Sequence, residues 1–186
     1  MLDLATTNIL VSYGTVFLNF LSVLLVGAIA YPSLIPTFAK KVHGRFGLWI
    51  AFGFSLVATL LTLYYSEILN VVPCSYCWLQ RVFLYPQVVL FGIAALLKDR
   101  SITIYSIFLS LIGALIALYH HYLQMGGAHF LPCPANGNAI DCATPTFVTW
   151  GFVTFPYMSF SLFLFLILYM VALRTIWRKY PQEVSV

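Results

Sequence analysis

Four cysteines are the residues of this chain with the most evident chemistry. Cys74 and Cys77 form a C-x-x-C motif just before a long apolar run, and Cys133 and Cys142 lie in the only long polar segment. Thiols pair or react according to their compartment and the charges around them. Two cysteine pairs on one face of a small membrane bundle indicate a relay for electrons more than a structural cross-link.

The surroundings of the C-x-x-C motif favour a reactive thiolate. Pro73 precedes the motif, so we expect a sharp helix start that offers unpaired backbone N–H groups and the positive end of a helix dipole. Arg81 lies four residues after Cys77 and therefore on the same helical face. Both effects predict a stabilised thiolate at Cys77. A buried guanidinium also needs an anionic partner, which a thiolate or a reduced quinone oxygen would supply.

Plainer interpretations of these residues remain open. The C-x-x-C motif could be a structural disulfide or half of a zinc site, and Arg81 could extend to lipid headgroups. Cys133 and Cys142 could close a small loop as a disulfide. A zinc site of all four thiols is possible, but the spacing of the second pair is poor for it. The prolines and glycines nearby favour a flexible loop, so its disulfide could reach a soluble partner and then the Cys74–Cys77 pair.

Two histidines end the fourth apolar run. Gln124 lies one turn beyond His120 and on its face. An imidazole at this level could donate to a quinone carbonyl or move protons, or it could simply face water and headgroups. Because Arg81 and Gln124 are expected at the same level, we favour a role in a polar site.

Composition places these residues in a membrane. Hydrophobic residues make up 62% of the 186 residues and charged residues only 8%, which no soluble domain of this size could accommodate. The formal net charge of +4 is spread over three small groups, so we expect no nucleic-acid partner. The sequence predicts an all-α integral membrane protein with five spans, at about 8–30, 46–69, 82–97, 102–123 and 150–173. The third run is short and is expected to begin earlier, near Cys77.

The basic residues predict the orientation of these spans. Eight of the nine fall in connections on alternate sides, which the positive-inside rule makes cytoplasmic: Lys40, Lys41, Arg45, Lys98, Arg100, Arg174, Arg178 and Lys179. The N-terminus and both cysteine pairs are then extracytoplasmic, where disulfides persist. The first run follows Asp3 and no positive charge, so we expect a retained helix and not a cleaved signal peptide.

At this point the sequence resembles the DsbB family of membrane disulfide oxidoreductases, in its BdbC-type branch. The resemblance spans about residues 46–174 and rests on these segments: Pro73-Cys74-Ser75-Tyr76-Cys77-Trp78-Leu79-Gln80-Arg81, Tyr85-Pro86, His120 with Gln124, Cys133 and Cys142, and Trp150-Gly151-Phe152 with Pro156. It implies a four-helix bundle over 46–174, an additional N-terminal helix and cytoplasmic loop over 1–45, and a cytoplasmic tail over 175–186.

The resemblance also implies an activity and a location. Such a protein reoxidises a DsbA-like thioredoxin-fold partner outside the bacterial cytoplasmic (inner) membrane and passes two electrons to the membrane quinone pool, either ubiquinone or menaquinone. Cys133 would form the mixed disulfide, and Cys142 would exchange with Cys74. Cys77, supported by Arg81, would face the quinone.

His120 and Gln124 would lie near the quinone head, with His121 as the rival of His120, and no metal is expected. Two other function classes compete with this one. A VKOR-like quinone reductase is disfavoured because its loop cysteines precede the C-x-x-C motif, whereas here they follow it. A structural or metal-binding membrane protein stapled by two disulfides remains the alternative from another class.

Overall fold

Five long helices form the part of the protein that the structure describes. The computed structural model describes residues 3–128, 130 and 141–181. The helices are α1 (Leu4–Ala30), α2 (Thr37–Leu63), α3 (Ser75–Leu97), α4 (Ile102–Gln124) and α5 (Phe155–Lys179). A 3₁₀ turn (Pro32–Leu34) lies between α1 and α2, and a π-helical segment (Tyr64–Ile68) continues α2. All five helices are long and apolar enough to cross a membrane, which confirms the predicted fold class.

The helices extend beyond the predicted spans. α2 begins at Thr37, so Lys40, Lys41 and Arg45 lie on the helix and not in a connecting loop. Hydropathy marks the part of a helix that suits lipid, whereas backbone hydrogen bonds carry the helix further into the polar layer. α3 does begin early, at Ser75.

The last helix begins later than predicted. Trp150 and Gly151 have positive φ values of 53° and 79°, so the chain turns there and does not continue as helix. α5 starts only after Thr154, whose Oγ1 accepts the N–H of Tyr157 as a side-chain cap. Its C-terminal end at Lys179 places part of the predicted tail on the helix.

α5 is the most buried helix and holds the bundle together. Leu166, Met170 and Leu173 are fully buried in the core, and α5 packs most extensively against α4. Close approach of these two helices depends on Gly113, because a Cβ atom there would lie 2.5 Å from the Phe163 ring. Small residues at such contacts are the usual means by which membrane helices pack.

The N-terminal helix is apolar outside and polar inside. Its buried residues are all polar, namely Thr7, Asn8, Ser12, Thr15 and Ser22. α1 packs along α5, and Asn19 Nδ2 donates to the Tyr157 hydroxyl at 3.2 Å. The Tyr65 hydroxyl donates to Asn8 Oδ1 at 2.9 Å and ties α1 to the end of α2. These bonds satisfy polar groups that lipid could not.

The bundle has one basic end and one thiol end. Because successive helices run in opposite directions, the start of α2, the α3–α4 link and the end of α5 lie together. There Lys40 Nζ lies 3.9 Å from the centre of the Tyr180 ring, and Arg100 stacks over Trp177 at 5.2 Å. Cys74, at the start of α3, lies at the opposite end.

Candidate active site

Cys74 is the N-cap residue of α3. Its backbone is extended (φ −73°, ψ 173°), and its Sγ atom accepts the N–H of Cys77 at 3.4 Å. A sulfur at this position takes one of the backbone donors that a helix start leaves unpaired. The helix dipole favours negative charge at the same point. The motif therefore begins on the residue best placed to carry a thiolate.

The second cysteine and a histidine complete the surroundings of that sulfur. Cys74 and Cys77 are free thiols whose Sγ atoms lie 3.1 Å apart. The Nε2 atom of His120 lies 3.6 Å from Cys74 Sγ, and the imidazole is fully buried. The hydrogen bond from Cys77, aided by His120, lowers the pKa of Cys74 to about 4, against the opposing effect of burial. The sequence placed the stabilised thiolate at Cys77, but the helix start gives that role to Cys74.

Gln80 orients the imidazole of His120. Its Nε2 atom lies 3.1 Å from His120 Nδ1, and the amide is buried. An amide N–H that donates to Nδ1 leaves the ring proton on Nε2. That proton then faces the Cys74 sulfur and the carbonyl oxygen of Cys142, which is 3.1 Å away. Turning the Gln124 amide, whose Oε1 is buried without a hydrogen bond among the described residues, would add a further acceptor.

Cys142 lies in the same buried cluster as the first cysteine pair. It is disulfide-bonded and completely buried, and it packs with Cys74, Tyr76 and Leu123. His120 contacts both the sulfur of Cys74 and the backbone of Cys142, so one imidazole joins the two cysteine-bearing segments. The expected pairing of Cys142 with Cys133 involves a residue outside the described part of the chain.

Arg81 lies beside the motif, and no charged residue in the described part of the chain contacts it. Its Nη2 atom donates to the Thr62 carbonyl oxygen at 2.9 Å, and its Cζ atom lies 5.1 Å from the centre of the Trp78 ring. The side chain is only 8% exposed. The contacts that the described residues give this guanidinium are thus uncharged, which leaves its positive charge available to an anion.

A cavity of about 440 Å³ opens next to Cys77 and Arg81. Most of its wall is apolar and comes from α1, α2, α3 and α5, while its polar groups include Gln80, Arg81, Gln124 and Asp141. Cys74 and Cys77 both line it. An apolar cavity with a few convergent polar groups suits a small planar ligand with polar edges.

Within the described part of the chain, the predicted site residues fall into two groups. Cys74, Cys77, Arg81, His120, Gln124 and Cys142 lie together at one end of the bundle. His121 lies apart and bonds Thr154 Oγ1 at 2.9 Å. His120 touches the thiol and is not among the residues that line the cavity, so its position favours a role at Cys74 over donation to a quinone carbonyl.

Two contributors were missed from the sequence. Gln80 belongs to the motif string but was not singled out, although an amide inside a membrane helix is itself a signal of function. The Thr62 carbonyl, which accepts from Arg81, has no signal in the sequence because it is a backbone group.

The same thiol end also presents a ligand set for a metal ion. Cys74, Cys77 and His120 each offer one ligand atom, and these three atoms lie within 4.8 Å of one another. Two thiolates and an imidazole are a known zinc set. The geometry is therefore compatible with either a redox pair or a metal site.

Comparisons with known proteins agree with the redox chemistry. The family model described as disulfide bond formation protein DsbB matches residues 44–174. A probable disulfide formation protein C 1 of Bacillus anthracis is 42% identical over 121 residues, 64% of this chain and 86% of its own. A probable disulfide formation protein of Chlamydia trachomatis serovar D is 43% identical over 117 residues, 62% of this chain and 83% of its own.

A third relative extends the comparison. The SPbeta prophage-derived disulfide bond formation protein B of Bacillus subtilis is 39% identical over 110 residues, 59% of this chain and 73% of its own. No solved structure matches the chain. The family model covers more than half of the sequence and includes every residue placed at the thiol end from α3 to α5. The chain belongs to the DsbB family of disulfide bond formation proteins and is a multi-pass membrane oxidoreductase of disulfide formation.

Proposed function

We propose that this protein is a thiol:quinone oxidoreductase that reoxidises a DsbA-like thioredoxin-fold protein. One observation carries the proposal: the Cys74–Cys77 pair lies between the buried, disulfide-bonded Cys142 and an apolar cavity lined by Cys77 and Arg81. The pair can therefore exchange with a disulfide on one side and face a lipid-soluble oxidant on the other.

The first half of the reaction is disulfide exchange. A thiolate of the reduced donor attacks Cys133 in the Cys133–Cys142 disulfide, forms a mixed disulfide and releases the Cys142 thiolate. The second donor thiol then attacks the donor sulfur of this mixed disulfide, which releases the Cys133 thiolate and the oxidised donor. Cys142 attacks an oxidised Cys74–Cys77 pair at Cys74, and exchange with Cys133 restores the loop disulfide and leaves Cys74 and Cys77 reduced. Each exchange requires a thiolate in line with a disulfide, and His120 stabilises the thiolate that leaves at Cys74.

The second half transfers two electrons out of the reduced pair. The walls of the cavity fit a quinone, because they are mostly apolar and Gln80, Arg81 and Gln124 are among their polar groups. As Cys74 and Cys77 close their disulfide, they would give two electrons to a membrane quinone in the cavity, with one proton from the Cys77 thiol and the second from solvent, because Cys74 is already a thiolate. Arg81 stabilises the negative charge that this transfer brings to the cavity. Ubiquinone and menaquinone both satisfy this chemistry.

The basic end of the bundle supports a location and an orientation. We place the protein in the bacterial cytoplasmic (inner) membrane with its basic end in the cytoplasm. The thiol end then faces the extracytoplasmic side, where a thioredoxin-fold donor works and disulfides persist.

The experiment combines the purified protein, a reduced thioredoxin-fold donor and decylubiquinone or a short-chain menaquinone. We expect quinone absorbance to fall and donor disulfide to appear in equal amounts. Cys77→Ser should abolish the fall. The proposal would be refuted if the wild-type protein neither oxidised the donor nor consumed quinone.

Metal binding is the second candidate, favoured by the proximity of Cys74, Cys77 and His120. It predicts about one zinc ion per chain after purification under reducing conditions, with the thiols protected from alkylation. Bound zinc together with absent quinone reduction would favour it. Quinone reduction that persists in a zinc chelator would exclude it as the main function.

A further inference from the structure

The N-terminal helix lies outside the family match but forms part of the cavity. The matched region begins at residue 44, and α1 ends at Ala30. Six residues of α1 nevertheless line the cavity that Cys77 and Arg81 share: Leu10, Val11, Gly14, Thr15, Phe17 and Leu18. A helix added only as a membrane anchor would not be expected to reach the reacting groups.

Hydrogen bonds hold α1 in this position. Asn8 bonds Tyr65 near the thiol end, and Asn19 bonds Tyr157 about three turns further along. The two bonds bracket the stretch of α1 that lines the cavity. Side-chain amides within membrane helices are used where helices must associate in a fixed register. The wall that α1 provides is therefore built and not incidental.

The cavity opens to the apolar surface of the bundle between α1 and α2. α1 packs along α5 and makes few contacts with α2. Leu10, Phe17 and Val57 line the cavity and are themselves 60%, 58% and 57% exposed. These three residues are exposed on the lipid-facing part of two membrane helices, while Val72 and Asp141 line the same cavity and are exposed at the thiol end. A ligand that enters between α1 and α2 comes from the bilayer and not from water.

We propose that α1 is the outer wall of the quinone site and that the quinone enters laterally between α1 and α2, past Gly14. This inference rests on the function proposed above. Gly14 lines the cavity, and a Cβ atom built there meets no other group within 4 Å. The missing side chain keeps the gap open, so this position determines whether a bulky ring and its apolar tail can pass.

The test fills the gap with a large side chain. Gly14→Trp should raise the KM for decylubiquinone by about tenfold or more, since the indole would occupy the cavity. Oxidation of the reduced donor in a single turnover without quinone should stay at the wild-type rate. Gly27→Trp is the matched control, because Gly27 lies on the same exposed helix, also has no neighbour within 4 Å, and does not line the cavity.

Photolabelling tests the same wall without a substitution. An azido-quinone should label the tryptic peptide that ends at Lys40, and excess decylubiquinone should suppress the label. Unchanged KM in Gly14→Trp, or label confined to peptides after Lys41, would overturn the inference. Failure of the wild-type protein to reduce quinone would instead overturn the proposed function, so the two failures are distinguishable.

Discussion

The Nε2 atom of His120 lies 3.6 Å from the Sγ atom of Cys74, across the contact between α3 and α4. The imidazole is fully buried and carries its proton toward the sulfur, because Gln80 occupies Nδ1. The reactive pair is thus supported from two directions, by the first turn of its own helix and by the end of the neighbouring one.

The ionisation of Cys74 should be visible in its reactivity. With its pKa lowered to about 4, Cys74 is a thiolate at neutral pH, whereas an ordinary thiol has a pKa near 9. Alkylation of the reduced protein by iodoacetamide should therefore vary little between about pH 5 and pH 8, instead of rising about tenfold per pH unit. Peptide mass spectrometry measures the rate at Cys74.

The same shift sets the pH dependence of stability. Between the two pKa values the unfolded chain binds one more proton than the folded one, so the stability of the reduced protein rises with pH. The contribution is complete above about pH 9 and is lost as pH falls toward 4. Cys74→Ala should lack this dependence, and an alkylation profile that tracks an ordinary thiol would contradict both expectations.

Replacing His120 should raise the pKa of Cys74, because the sulfur loses its buried N–H donor. The midpoint of thiolate absorbance near 240 nm in His120→Ala reports the change. His121→Ala is the control, since His121 bonds Thr154, the N-cap residue of α5, and not a cysteine. Equal midpoints in the two variants would argue that His120 is merely a packing residue.

Gln80 should act through His120. Gln80→Leu removes the donor to Nδ1, so the imidazole can move its proton away from Cys74 and the pH profile of alkylation should shift upward. Gln87→Leu offers a matched comparison on the same helix, because this buried amide bonds Phe83, Ser106 and Ser110. A shift of the Cys74 profile in the second variant as large as in the first would refute the role of Gln80.

Arg81→Ala should weaken quinone reduction by about tenfold or more and leave donor binding largely intact, because the guanidinium lines the cavity near Cys77. Steady-state kinetics with varied quinone, and single-turnover oxidation of the donor, separate the two effects. Arg178→Ala, at the basic end of the bundle, should match the wild type. Equal losses in both half-reactions would contradict the role assigned to Arg81.

Helix packing should depend on Gly113. Gly113→Ala places a methyl group against the Phe163 ring and should destabilise the bundle by about 1–3 kcal/mol, the usual effect of overpacking. Gly53→Ala meets no neighbour within 4 Å and should be neutral or slightly stabilising, since alanine favours helix. Thermal unfolding in detergent compares the two, and a Gly113 variant as stable as the wild type would show that α4 and α5 can separate.

Much of the site followed from local sequence rules. Pro73 and the apolar run after it predicted where α3 begins, and the four-residue spacing from Cys77 predicted Arg81 on the same face. The spacing of His120 and Gln124 predicted their contact, which the structure has at 3.3 Å. Each of these relationships lies within one helix, where geometry depends only on sequence separation.

What the sequence did not reveal depends on contacts between helices. The choice of His120 over His121 requires the rotation of α4 against α3, which distant packing such as that of Gly113 on Phe163 sets. The thiolate at Cys74 depends on which residue caps the helix. The packing of α1 on α5 left no trace in the pattern of apolar residues, because a helix that faces lipid is apolar on most sides.

The sulfur that caps α3 is also the sulfur that we expect to exchange disulfides. When Cys74 enters a disulfide, it loses the charge that attracts the amide of Cys77. The hydrogen bond in the first turn of this helix should therefore be strong in the reduced protein and weak in the oxidised one, and it should change once in each direction during every catalytic cycle. The rate of hydrogen–deuterium exchange at the Cys77 amide should therefore be higher in the oxidised protein than in the reduced one.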